Sequence, residues 1–271
     1  MKGRVLIIAG SDSGGGAGIQ GDIKTITALG GYAATAITAL TAQNTLGVFG
    51  VHAVPKEFIA QQIQLVLDDI GADVIKTGML LNAGIIETVA NVLEDYPDIP
   101  LIVDPVMVAK GGAPLLEPDA VEMLIKRLIP RATLITPNVP ESELLLGAHA
   151  ISRENMEEAG KKLLKLGCGS VLMKGGHLPG DEVTDILITN RDSQLMTEIF
   201  TSPRIHTHHT HGTGCALASA IAVSLAQGLS LEKSVERARD YVANAIKTAP
   251  GFGKGHGPLN HGCLSDSSKV S

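Results

Sequence analysis

Val74-Ile75-Lys76-Thr77-Gly78-Met79-Leu80 and, twenty residues further on, Leu101-Ile102-Val103-Asp104-Pro105-Val106-Met107 decide the fold of this chain. Each begins as a short apolar run and breaks at Gly or at Asp-Pro. Between them, Ala83 to Glu94 carries apolar residues at three- and four-residue spacing, the mark of a helix with one buried face. Strand, helix, strand in this order is a parallel crossover unit. The alternation extends in both directions, with strands expected at Arg4–Ala9, Ala33–Leu40, Thr133–Thr136 and Ser170–Met173. Helices are expected at Glu57–Asp69, Asp119–Leu128 and Asn155–Leu166. Asp185–Ile188 and Leu195–Phe200 follow each other without a helix and read as a hairpin on one sheet edge. Two helices, Ala216–Ala226 and Leu231–Ala249, close the chain. The expected class is α/β, a mostly parallel central sheet flanked by helices.

Composition agrees. A length of 271 residues suits one α/β domain, expected over residues 1–264, and 44% hydrophobic residues supply its core. The Ser/Lys-rich residues 265–271 have little to bury and are expected to fray. With 22 basic against 28 acidic residues the formal charge is -6, and no basic cluster suits a nucleic-acid backbone. Val5–Ala9 is too short for a signal segment, and no apolar run reaches membrane-spanning length, so a cytoplasmic protein is expected. Cys168, Cys215 and Cys263 are odd in number and widely spaced, which argues for reduced thiols.

In open parallel sheets ligands bind beyond the carboxyl ends of the strands. The residues there are Gly10 to Gly18, Thr77 to Leu80, Asp104 to Met107, Thr136-Pro137-Asn138 with Glu141, and Lys174 to His177. A formal G-x-G-x-x-G at Gly16, Gly18 and Gly21 is not a dinucleotide fingerprint, because no acid stands near Thr41, where one is required. There is no phosphate loop of the G-x-x-x-x-G-K-[ST] type either.

His211-Gly212-Thr213-Gly214-Cys215 opens a helix, and its glycines let backbone N–H groups converge where the helix dipole favours an anion. If a phosphoryl group is transferred there, Cys215 faces the attacking group; the alternative is a small-residue helix start with a buried structural cysteine. Asp104 and Glu141 suit Mg²⁺, directly or through water, Asn138 suits metal or phosphate, and Lys174 suits nucleotide phosphates. Each has a plainer reading as a helix cap, a first-turn acid or a solvated cation. The histidines at 206, 208, 209 and 211 lack an evident completing ligand, so a metal site is not favoured, and His211 has a plausible part in shaping the anion loop.

These segments, with Ile8 to Asp12, Gly15 to Gln20 and Ala42-Gln43-Asn44-Thr45, resemble the ribokinase-like superfamily and, within it, the hydroxymethylpyrimidine/phosphomethylpyrimidine kinases. The resemblance spans about residues 5 to 260. It implies ATP and Mg²⁺, and two successive phosphoryl transfers onto 4-amino-5-hydroxymethyl-2-methylpyrimidine and its monophosphate. It implies that Asp22 and Gln43 hydrogen-bond the aminopyrimidine while Gly10, Ala17, Met79 and Val106 pack around it. It further implies Cys215 as base, populated as thiolate at the helix N-terminus, with Gly212, Thr213, Gly214 and Lys174 around the transferred phosphoryl and a homodimeric assembly. Two departures stand out: Gly21 replaces the usual Ala, and Ala216 the usual Thr. A pyridoxal kinase of the same superfamily is the nearest alternative, a binding protein without chemistry a second, and a nicotinamide oxidoreductase a third.

Overall fold

The computed structural model describes residues 1–264 apart from 109–111, 113–114, 148–149 and 192–193. The tail expected at 265–271 lies outside the described residues. The strands are β1 (Arg4–Asp12), β2 (Tyr32–Asn44), β3 (Gly47–Ala53), β4 (Val74–Thr77), β5 (Leu101–Val103), β6 (Leu134–Ile135), β7 (Ser170–Lys174), β8 (Glu182–Arg191) and β9 (Gln194–Pro203). The helices are α1 (Gly18–Ala28), α2 (Lys56–Asp69), α3 (Ala83–Leu93), α4 (Pro118–Met123), α5 (Val139–Leu146), α6 (Met156–Leu164), α7 (Thr213–Ala226) and α8 (Leu231–Lys247).

All nine strands join one sheet in the order β3-β2-β1-β4-β5-β6-β7-β8-β9. From β2 to β7 the neighbours are parallel, with Leu6 opposite both Ala34 and Ile75, and Ile75 opposite Leu101. The outer pairs β2–β3, β7–β8 and β8–β9 are antiparallel.

Strand periodicity sends alternate residues to opposite faces, and both faces are apolar. Leu6, Ile8, Ile75, Leu101 and Val103 pack under α2 to α6. Val5, Ile7, Ala9, Val74 and Ile102 pack under α1, α7 and α8. The result is a three-layer sandwich. Burying a side chain such as Ile7, fully inaccessible here, contributes about 1.5–3 kcal/mol.

α7 matters most for the site. Its residues Ala216 to Ser224 are all buried, so it runs through the interior on small Ala and Ser side chains and delivers its N-terminus to the sheet's carboxyl edge.

Three expectations need correction. β2 runs past Leu40 to Asn44 and turns into β3, a strand whose residues are mostly exposed and therefore lack a buried-strand pattern. The helix expected over Asp119–Leu128 is regular only to Met123. It then widens into a π-turn at Leu124–Leu128 and tightens at Ile129–Arg131, where Pro130 cannot continue the ladder. β1 extends beyond Ala9 to Asp12, carrying the first glycine loop with it.

Candidate active site

A cavity of about 800 Å³ opens at the carboxyl ends of the parallel strands. Gly10, Ala17, Gln43, Met79, Val106, Asp104, Asn138, Glu141, Lys174 and all of Gly212 to Cys215 line it, so the structure brings together the residues singled out in sequence, with one exception.

The anion loop is built by close backbone approach. Gly212 caps α7 with φ of 88°, a left-handed conformation that suits glycine, and a Cβ there would collide with the carbonyl oxygen of Gly16. A Cβ on Gly214 would lie 3.4 Å from Lys174 Nζ and 3.9 Å from Asp104 Oδ2. The two glycines thus let the first turn of α7 nest against the first glycine loop on one side and a charged pair on the other.

That pair is Lys174 Nζ donating to Asp104 Oδ1 at 3.0 Å, with Thr136 Oγ1 donating to the same oxygen at 2.8 Å. Burial by itself would raise the Asp104 pKa, but Lys174, Lys76 and the Thr136 hydroxyl together hold it below the ordinary carboxylate value. Burial would likewise discharge Lys174, yet Asp104 and Glu141 keep its pKa raised. Asn138 and Glu141 do form the plainer arrangement. Asn138 Oδ1 accepts from the Glu141 amide at 2.9 Å, and Glu141 Oε2 accepts from the Asn138 amide at 2.8 Å, a reciprocal cap on α5. Glu141 nonetheless faces the cavity, and burial pushes its pKa up to about 7 against the pull of Lys174.

Asp22 is the exception. It is fully buried and does not line the cavity. Its oxygens accept from Lys76 Nζ at 2.9 and 3.0 Å and Oδ1 accepts from Ser219 Oγ at 2.7 Å. The expected contact with a ring is therefore corrected: its carboxylate is consumed by a buried lysine that itself reaches the cavity floor. Burial would lower the Lys76 pKa, but Asp22 and Asp104 hold the ammonium charged.

Ser219 lies one helical turn after Cys215, so the two share a face of α7. The Cys215 thiol meets the cavity, but burial pushes its pKa up to about 12, with Lys76 pulling the other way. That direction runs against the thiolate expected near neutral pH, with Lys76 the charge that favours it.

At the other end of the cavity a Cβ on Gly10 would run into the Met79 methyl, so glycine admits the methionine against the strand. Asp12 ties the glycine loop down: Oδ1 accepts from Gly14 N at 2.7 Å, and Oδ2 from Gly16 N at 3.1 Å and Ala17 N at 2.8 Å. His211 Nε2 lies 2.8 Å from the same Oδ2. Burial alone would raise the Asp12 pKa; His211 and the backbone donors hold it below its ordinary value.

Sequence reasoning missed the far wall. Arg204 donates to the carbonyls of Gly176 and Gly180 at 2.9 and 2.6 Å, fixing the loop after Lys174. Arg239, paired with Asp185, and Val242, Ala243 and Ile246 of α8 extend the cavity beyond the anion loop. α8 reads in sequence as an ordinary amphipathic helix; the basic residues Arg239 and Lys247, which both line the cavity, could have been a signal.

A three-layer sandwich with a glycine-capped helix N-terminus, a buried lysine–carboxylate pair and a deep cavity at the strand ends defines a ribokinase-like phosphotransferase. Comparison narrows this. The phosphomethylpyrimidine kinase family model matches residues 12–260, and the chain belongs to that family. It is 52% identical over 260 residues to a thiamine biosynthesis bifunctional protein of Geobacter sulfurreducens, covering 96% of this chain and 52% of that protein, about half its length. It is 49% identical over 259 residues to a hydroxymethylpyrimidine/phosphomethylpyrimidine kinase of Bacillus subtilis, covering 95% of this chain and 94% of the relative. The solved structure of a Bacillus subtilis pyridoxal kinase with ADP superposes with a TM-score of 0.89 at 34% identity, over 98% of this chain and 99% of that one.

Proposed function

We propose that the chain transfers the γ-phosphoryl of ATP to the hydroxymethyl oxygen of 4-amino-5-hydroxymethyl-2-methylpyrimidine and then to the resulting monophosphate, in thiamine biosynthesis. The observation that carries this reading is the single cavity in which the α7 N-terminus, Lys174 and Asp104 stand between an acceptor end at Gln43 and Met79 and a second end at Arg239 and Ile246. The kinase relatives that nearly match its length support it.

The amides that open α7, at Gly212, Gly214 and Thr213, the last drawn weakly to the Thr210 carbonyl at 3.4 Å, meet the charge that spreads over a transferred phosphoryl group. Lys174 neutralises nucleotide phosphate charge, and Asn138 lies beside it. Mg²⁺ fits the donor set: Asp104 keeps Oδ2 for a cation, and Glu141 is a buried carboxylate that a cation would ionise. Two carboxylates suit an ion that retains water and binds phosphate oxygens, and it would screen charge between nucleotide and acceptor. Gln43 hydrogen-bonds the ring, and Gly10, Ala17, Met79 and Val106 pack around it. Cys215 takes the hydroxyl proton only as its thiolate, so the resting thiol first gives its own proton to solvent through the cavity it lines; the thiolate then receives the hydroxyl proton as the bond to phosphorus forms, late in a loose transition state.

The likeness to a pyridoxal kinase favours one second reading, phosphorylation of a vitamin B6 alcohol. Purified protein with ATP, Mg²⁺ and each acceptor separately decides between them: ADP release with the pyrimidine supports the proposal, and release with pyridoxal alone overturns it.

Among the described residues no helix is long and apolar enough to cross a membrane, and a cytoplasmic location is part of this proposal. So is a homodimer, supported by the exposed Leu46 and Phe49 around the β2–β3 edge, and checked by sedimentation.

A further inference from the structure

The side-chain amide of Gln43 stands among groups that dictate its orientation. Gln43 Nε2 lies 3.4 Å from His211 Nε2, and Gln43 Oε1 lies 3.2 Å from Thr41 Oγ1. Both neighbours oppose that arrangement. His211 Nε2 is 2.8 Å from Asp12 Oδ2, a carboxylate oxygen that can only accept, so Nε2 carries a hydrogen and cannot receive one from an amide NH₂. The Asp12 carboxyl is held in its ionised form by three backbone donors as well. Thr41 has one hydroxyl hydrogen and gives it to the Ser11 carbonyl at 2.9 Å, the shorter of its two contacts, which leaves only lone pairs facing Gln43. A half-turn of the amide exchanges its nitrogen and oxygen without moving the chain and removes both conflicts. The main chain at 43 is fixed meanwhile: Ser13 Oγ donates to the Gln43 carbonyl at 2.8 Å and accepts from its amide at 2.9 Å.

We propose that Asp12, acting through His211, and Thr41 are positioning residues that fix the Gln43 amide with its oxygen on the His211 side and its NH₂ on the Thr41 side, and so select the acceptor ring's orientation. The inference rests on the reading that Gln43 faces an aminopyrimidine. Such a ring carries an amine donor next to a ring-nitrogen acceptor, and an amide reads that pair in one order only. With the order fixed, the ring enters with its hydroxymethyl group towards Cys215; with the order free, it also binds turned over and unproductively.

Two measurements test this. Nitrogen-15 NMR of histidine-labelled protein, with His211→Asn to assign the signal, is expected to find the His211 hydrogen on Nε2 in the wild type. Thr41→Val, which removes the acceptor at constant shape, is expected to raise KM for the pyrimidine about tenfold, the worth of one hydrogen bond, and to leave KM for ATP within about twofold. A wild-type His211 protonated on Nδ1 alone overturns the proposal, as does a Thr41→Val enzyme in which both KM values move together. A wild-type protein that turns over no pyrimidine sinks the functional reading instead, while the NMR result still decides the amide.

Discussion

Replacing Lys76 by Met removes a buried ammonium that two oxygens of Asp22 hold at 2.9 and 3.0 Å. Neither side chain has any exposed surface. Met fills similar volume, so the cost comes from the partner: Asp22 is left in the interior with Ser219 as its remaining donor at 2.7 Å. Breaking one side of a buried pair costs roughly 3–5 kcal/mol. With a urea slope of about 3 kcal/mol per molar, the unfolding midpoint falls by about 1–1.7 M. The loss depends on pH in a direction the structure fixes. Burial raises the Asp22 pKa and Lys76 opposes that rise; without Lys76 the folded carboxyl holds its proton well above the unfolded value of about 3.9. A raised folded pKa means stability that is present below the unfolded value and lost as pH rises through the folded one. Lys76→Met is therefore expected to be closer to the wild type at pH 5 than at pH 8, and Lys76→Met with Asp22→Leu to regain much of the loss. Urea titrations followed by circular dichroism at both pH values check this. A midpoint change below about 0.3 M, equal at pH 5 and pH 8, would refute the reasoning.

Cys215→Ala is expected to lower kcat by about 10²- to 10⁴-fold, the range for a lost proton acceptor, while ATP binding by calorimetry persists. Gly212→Ala must place a Cβ against the Gly16 carbonyl at φ of 88°, and is expected to abolish turnover and to lower stability by more than about 1 kcal/mol by urea titration. Because the Glu141 pKa lies at about 7, the Mg²⁺ concentration for half-maximal rate is expected to rise as pH falls below 7, and Glu141→Gln to flatten that dependence.

The sheet was legible because parallel strands buried on both faces are nearly continuous apolar runs, as at Val5–Ala9 and Leu101–Val103. β3 was not, because Phe49 and Val51 are exposed and no buried face gives the strand a pattern. Asp104, Asn138, Glu141 and Lys174 were legible through their placement after strands, a consequence of topology, whereas Gln43, inside β2, was read only through the family resemblance. Asp22 was misplaced because a carboxylate in a sequence shows no partner: its lysine is 54 residues away on β4 and meets it only where α1 and α7 pack together over the sheet. The surroundings of the Cys215 thiol were hidden for a related reason. A helix N-terminus is visible in Gly212-Thr213-Gly214, but the burial that raises the thiol and the Lys76 charge that opposes it are tertiary properties.

The central claim is two phosphoryl transfers onto one pyrimidine, and phosphorus-31 NMR with product mass, on protein given excess ATP and Mg²⁺, tests it most directly. The account predicts the monophosphate first and then the diphosphate, with two ADP released per pyrimidine. No phosphorylated pyrimidine, or a product that stops at the monophosphate with ATP still in excess, would contradict it.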